Sequence, residues 1–511
     1  MFETAALDRK VSKGDFKRRE GPLREALLMA QGRLRKAGFP VIVLFAGVDG
    51  AGKGEMVNEL NNWLDPHYVA TRPLGDPSPE EQERPKYWRY WRDLPPKGQV
   101  GLFLSAWYHA PLLDHVYKRT KTERFDQDLD EVLSFEKMLA DDGALILKFW
   151  MHLDKKAQKK RLSKLEKDPL ERFRVTEDDW KHWRMYDDFV ATAEHIITRT
   201  STGQAPWHIV EGADANFRSL RVGELLLQAL TAKLDEEDVR KRVTAEAANQ
   251  VVENVPTTTA EEAMKADVVR GAHPTVLDTV DLSVRLPKKE YQERLREAQA
   301  KLRRQHREAR DKKISMVIVF EGWDAAGKGG AIRRLVSALD ARSVRTIPIA
   351  APTDEERAQH YLWRFWRHLS RVGRVTIFDR SWYGRVLVER VEGFAREKEW
   401  RRAYAEINDF ERRLCNHGIV VSKFWLHISP EEQARRFAER EQTPYKRWKL
   451  TEEDWRNRSR WGEYEQAVHD MVERTSTRGA PWHLVAADDK YNARATILET
   501  VVAQLAEALK K

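Results

Sequence analysis

One phosphate-loop pattern occurs twice in this chain, and the spacing between its copies constrains the fold more than any other feature. Gly47-Val-Asp-Gly-Ala-Gly52-Lys53 and Gly322-Trp-Asp-Ala-Ala-Gly327-Lys328 both fit G-x-x-x-x-G-K. Each follows an apolar run, Val41–Phe45 or Met316–Phe320, that reads as a buried strand, and each precedes a helix-compatible stretch. The offset of 275 positions also aligns Trp88-Arg89 with Trp363-Arg364, Trp107-Tyr108 with Trp382-Tyr383, and Lys148-Phe-Trp150 with Lys423-Phe-Trp425. It still holds at Ala205-Pro-Trp-His208 against Ala480-Pro-Trp-His483. The chain therefore carries a duplicated domain. The expected boundaries are 1–235 and 276–511, joined by a polar connector over 236–275. The expected class is α/β: two tandem P-loop kinase-like domains, each a doubly wound, mostly parallel sheet with flanking helices and a helical lid.

A glycine-rich turn from strand to helix aims backbone N–H groups and the positive helix end at a phosphate, and the lysine adds a point charge. Gly322, Ala325, Ala326, Gly327, Gly329 and Gly330 are thus candidate phosphate contacts beside Lys328. The Ser or Thr that would follow the lysine and ligate Mg²⁺ is Gly54 in one copy and Gly329 in the other. A magnesium-dependent reaction needs other oxygen ligands. Asp49 and Asp324 sit inside the loops, where a carboxylate suits holding metal or orienting an acceptor better than cradling an anion. The plainer alternative is a turn-stabilising Asx contact.

The second copy adds charges that the first lacks. Arg374–Phe378 reads as a strand running into Asp379-Arg-Ser-Trp-Tyr-Gly-Arg385. P-loop enzymes place a metal-coordinating carboxylate at such a strand end, and Arg380 and Arg385 offer forked donors that match phosphate. The first copy has Leu104, Ser105 and Ala110 at these three positions. The flanking aromatics recur in both copies, which argues that they pack, although Tyr383 stays among the substrate-contact candidates. Arg357, His360, Arg364 and Arg367 are spaced as one helical face, a stripe suited to tracking a phosphate chain, where the first copy has Gln82, Pro85, Arg89 and Arg92. Lys446 and Arg447 belong to a Pro-led basic segment, Thr443–Trp455, expected to form a lid that excludes water. Lys423 and its counterpart Lys148 either approach phosphates or snorkel at a sheet edge. The first copy reads as a domain that kept its fold and lost turnover.

Composition sets the remaining bounds. Lysine plus arginine total 90 against 81 acidic residues, a net charge of +9. That balance suits an anionic substrate, and no nucleic-acid motif accompanies it. The 18 tryptophans recur mostly in matched pairs between copies, which argues for packing rather than base stacking. No apolar run approaches the ~20 residues of a membrane span, and Met-Phe-Glu-Thr lacks the order of a secretion signal. The single cysteine, Cys415, rules out an internal disulfide framework and suits the cytoplasm. Self-association is left open.

Phe320-Glu-Gly-Trp-Asp-Ala-Ala-Gly-Lys-Gly-Gly330, Leu362-Trp-Arg364 and Asp379–Phe394 together closely resemble the polyphosphate kinase 2 family. The resemblance covers both copies, and the tandem arrangement is similar to its fused, two-domain members. It implies transfer of a phosphoryl group from inorganic polyphosphate to AMP, giving ADP, with Mg²⁺. It implies catalytic roles for Asp324, Lys328, Asp379, Arg380 and Arg385, with Asp324 and Asp379 holding the metal. Rival readings are ADP or GDP as acceptor, an ATP-dependent nucleoside monophosphate kinase, and a non-catalytic polyphosphate-binding protein.

Overall fold

The computed structural model describes residues 1–5, 7–251, 274–443 and 452–510. Each copy builds one five-stranded sheet. In the first these are β1 (Val41–Gly47), β2 (Val69–Pro73), β3 (Val100–Leu104), β4 (Leu145–His152) and β5 (Trp207–Glu211). In the second they are β6 (Met316–Gly322), β7 (Val344–Pro348), β8 (Val375–Asp379), β9 (Val420–His427) and β10 (Trp482–Ala486). The orders β2-β3-β1-β4-β5 and β7-β8-β6-β9-β10 are the same topology, and every pairing is parallel.

Parallel neighbours require long crossovers, which here are helices packed on the sheet faces. The central strands are therefore covered on both sides: β1 is buried from Val41 to Ala46 and β6 from Met316 to Glu321. That explains their unbroken apolar runs, which lack the alternation of a half-exposed strand. Helices Lys13–Leu34 and Ala215–Val251 pack together in the first copy, as Lys288–Asp311 and Lys490–Leu509 do in the second. Ala215–Val251 runs unbroken past position 235.

In each sheet the chain crosses from one side of the central strand to the other, so the loops after β1 and β6 open onto a crevice at the carboxyl ends. Two compact units are formed: residues 1–77 and 90–251 with Arg357–His360, and residues 78–89, 274–356 and 361–510.

One expectation fails here. The stripe Arg357, His360, Arg364 and Arg367 is not one helix face, because two short helices, Asp354–Arg357 and Trp363–Trp366, flank a non-helical break. The reason is burial: His360, Tyr361, Leu362 and Trp363 are all buried in succession, which no amphipathic helix can satisfy with one face. Arg357 falls in the first unit, and Arg364 and Arg367 in the second.

Candidate functional site

Local backbone geometry explains the loop glycines. Gly47 and Gly322 adopt φ of 138° and 147°, and a Cβ on Gly322 would lie 2.6 Å from the carbonyl oxygen of Leu426 on β9. Only glycine lets the strand leave the sheet so close to its neighbour. Gly52 and Gly327 are left-handed and start the helices Lys53–Trp63 and Lys328–Val336. Ala325 holds φ 64° where the first copy has a glycine, Gly50, at φ 77°. Gly329 and Gly330 lie in the first turn of the second helix.

In the second copy, β6 and β8 pair with Phe320 opposite Asp379, bringing the β8 end level with the loop. The next residue, Arg380, takes a left-handed φ of 63° while its backbone N–H donates to the Phe320 carbonyl at 3.0 Å. This turns its guanidinium onto Asp324: Nη2 lies 3.1 Å from Oδ1. The other oxygen of Asp324 accepts from Asn457 Nδ2 at 3.0 Å, and Asn457 in turn accepts from the Tyr464 hydroxyl at 3.2 Å. Lys328 Nζ donates to the carbonyls of Gly322 and Trp323 at 2.6 and 3.1 Å, and burial pushes its pKa down. Glu321 is buried and accepts from the Ser381 hydroxyl at 2.7 Å. Burial holds its pKa up, against the pull of Ser381, Lys328 and Arg380. The Asp379 side chain has no hydrogen-bond or ion-pair partner among the described residues. Thus Asp324, Lys328, Asp379 and Arg380 do converge.

Arg385 lies 3.2 Å from Glu389 and stacks over the Tyr361 ring at 4.5 Å. Arg364 pairs with Glu356 at 3.2 Å and donates to the Ala350 carbonyl, while Arg367 pairs with Glu355 at 3.1 Å. Lys446 and Arg447 lie outside the described residues. The helix after them, Glu452–Ser459, carries Asn457 to the loop.

Lys423 and Tyr383 are corrected. All three Lys423 donors are used in the core: Glu411 at 2.7 Å, the Tyr383 hydroxyl at 2.7 Å and the Thr475 carbonyl at 2.8 Å. Tyr383 is fully buried and donates to Glu411 at 2.6 Å. Lys148 repeats the arrangement with Glu136, Tyr108 and Thr200 at 2.6, 2.9 and 2.8 Å. Neither a phosphate contact nor a snorkelling edge residue, this lysine is a buried ion-pair anchor present in both copies.

Sequence reasoning missed Asn457, Glu321 and Arg436. The last braces the loop from outside: Nη1 donates to the Ala325 and Ala326 carbonyls at 2.9 and 3.0 Å, and Nη2 to those of Ala487 and Asp488. The 275-residue offset held the signal for two of them, since Ala46 stands for Glu321 and His182 for Asn457. The first copy has thus lost a fourth charge beyond the three at Leu104, Ser105 and Ala110.

No trio of His, Cys, Asp or Glu among the described residues is arranged to hold a metal by itself. Two carboxylates beside a phosphate loop nevertheless fit Mg²⁺, which keeps several waters and shares substrate phosphate oxygens. The unpartnered Asp379 supports that fit.

The fold and its duplication recur in known proteins. The profile of a family described as polyphosphate kinase 2 matches residues 10–240 and 285–511. The chain is 49% identical over 512 residues to the polyphosphate:AMP phosphotransferase of Pseudomonas aeruginosa, covering 100% of both proteins. It is 37% identical over 469 residues to the protein of that name from Acinetobacter johnsonii, covering 91% of this chain and 90% of the other. A crystal structure described as a polyphosphate kinase 2 from Pseudomonas aeruginosa superposes with a TM-score of 0.86 at 47% identity over 100% of both chains.

Proposed function

The chain belongs to the polyphosphate kinase 2 family, and we propose that its second copy transfers the terminal phosphoryl group of inorganic polyphosphate to AMP. The products are ADP and a polyphosphate one unit shorter. Full-length relatives bearing the name polyphosphate:AMP phosphotransferase support the substrates. The observation that carries the assignment to one copy is the cluster of Asp324, Arg380, Lys328 and Asp379, matched in the first copy only by Asp49 and Lys53.

The terminal phosphoryl lies over Gly322–Gly330, facing loop N–H groups and the helix end. Lys328 exchanges its loop carbonyls for phosphate oxygens, and Arg380 and Arg385 neutralise charge that spreads as the bridging P–O bond breaks. An AMP phosphate oxygen attacks in line. Its second pKa near ~6 leaves it largely deprotonated at neutral pH, so no strong base is needed. Asp324 and Asp379 would hold Mg²⁺, which supplies charge neutralisation and alignment when bound. Asn457 keeps Asp324 in register with the loop. No helix among the described residues is long and apolar enough to cross a membrane, and we place the reaction in the cytoplasm.

The test is a panel assay with purified protein, Mg²⁺ and polyphosphate or ATP as donor, against AMP, ADP and GDP. ADP formation from AMP that requires polyphosphate is expected. Transfer only from ATP, or only onto diphosphates, would overturn the reading.

A further inference from the structure

The first copy differs from the second beside its loop in a way that creates space. In the second copy the Trp323 indole stacks on Trp461 at 3.7 Å and meets the Trp425 ring edge-on at 5.7 Å. Val48 stands in its place in the first copy, and Tyr186 in place of Trp461. A cavity of about 150 Å³ opens there along the loop, walled by Trp150, Tyr186 and Phe189 and reaching Lys53. A volume of about 150 Å³ admits one aromatic ring in an engineered protein cavity.

Two buried polar atoms of its lining residues have no partner among the described residues. Gln158 is 2% exposed and gives its Nε2 to the Asp49 carbonyl at 3.1 Å, but its Oε1 accepts nothing. Its counterpart Gln433 accepts from Arg458 at 3.1 Å, and position 183 holds Trp where Arg458 stands. Trp150 is 1% exposed and its indole N–H is likewise unpartnered. The Trp425 N–H is unpartnered too, but there the Trp323 ring lies alongside. Gln158 and Trp150 belong to one cavity wall, and an acceptor and a donor left unmade on that wall each cost free energy, which a ligand offering both on a flat edge would relieve.

The loop itself is intact. Lys53 reaches the carbonyls of Gly47 and Val48 at 2.6 and 3.2 Å, as Lys328 does in its own loop. Glu55 replaces Gly330 in the first helical turn and engages Arg161, Arg174 and Arg218 at 2.5, 2.9 and 2.8 Å. We infer that the first copy is a non-catalytic binding site for a purine nucleoside monophosphate, with its base in the Val48 cavity against Gln158 and Trp150 and its phosphate at Lys53. Such a site reports acceptor concentration to the chain without turning it over.

Calorimetric titration of the full chain with AMP, without polyphosphate, tests this. Two sites per chain are expected in the wild type and one in Val48→Trp, which refills the cavity with the side chain of the other copy. Gln158→Met and Lys53→Ala keep the test decisive if that variant does not fold, each weakening one site at least tenfold. The count of two rests on AMP being the acceptor of the second copy. If it is not, titration starts at one site and Val48→Trp removes it, so the two readings fail separately. An unchanged count in Val48→Trp, or unchanged affinity in both other variants, would overturn the inference. So would adenosine or inorganic phosphate binding the first-copy site as tightly as AMP.

Discussion

Replacing Lys423 with methionine separates a structural lysine from a phosphate-binding one. The ammonium is 0% exposed and its partner carboxylate, Glu411, 1%. Methionine fills most of the volume but removes three donors, taking the lysine from the Thr475 carbonyl and leaving Glu411, among the described residues, with Trp382 at 3.0 Å and the Tyr383 hydroxyl. Breaking a buried pair by removing one partner costs about 3–5 kcal/mol. At roughly 2–4 °C per kcal/mol for a domain of this size, the second copy's thermal transition should fall by about 6–20 °C. The loss should also depend on pH in a defined direction. Burial already raises the Glu411 carboxyl above its ordinary 4.5, against the pull of Lys423, and without that pull it rises further. The folded state then holds a proton that the unfolded chain releases above about 4.5, so stability falls as pH rises through the window between the two values. The defect should be smallest at acid pH. Lys148→Met should behave alike in the first copy, because the three distances match. Differential scanning calorimetry from pH 4.5 to 8, with steady-state kinetics well below the transition, gives both readouts. An unchanged transition together with a tenfold higher KM for polyphosphate would refute the argument and return Lys423 to the substrate.

Asn457→Ala removes one hydrogen bond to the Asp324 carboxylate while Arg380 remains, so kcat should fall by about 10- to 100-fold, the equivalent of ~1.5–3 kcal/mol for a bond to a charged group. Circular dichroism should show an unchanged fold. Asp379→Asn should lower kcat at least ~10²-fold and raise the Mg²⁺ concentration for half-maximal activity, measured by ADP release across a metal titration. Gly322→Ala places a Cβ against the Leu426 carbonyl at a φ of 147°, so the loop must distort. Thermal shift should report a loss of about 1–3 kcal/mol, and KM for polyphosphate should rise.

Much of the architecture was legible because parallel, doubly covered strands write themselves as continuous apolar runs, and Val41–Phe45 and Met316–Phe320 are such runs. The duplication supplied what one copy could not. Leu104, Ser105 and Ala110 marked Asp379, Arg380 and Arg385 as chemistry and not packing, and two of the four groups that meet around the loop, Asp379 and Arg380, were found this way. Spacing misled at Arg357–Arg367, where residue intervals suggested one helix but four successive buried side chains demanded a break. It misled at Lys423 as well, because a lysine in a strand looks the same whether its partner is a phosphate or a carboxylate brought in from a helix 12 positions away. Asn457 was invisible for a related reason: its partner lies 133 positions earlier in the chain, and an asparagine on a polar helix carries no periodic signal.

The central claim is that one copy turns over and the other does not, although both keep the loop lysine on the same two carbonyls. Measuring kcat for ADP formation from polyphosphate and AMP in Lys328→Ala and Lys53→Ala, side by side and with both variants folded, tests it most directly. Lys328→Ala should lose at least ~10²-fold, the scale of a removed transition-state charge contact, and Lys53→Ala should stay within about twofold of the parent. Comparable losses in the two variants would contradict the claim.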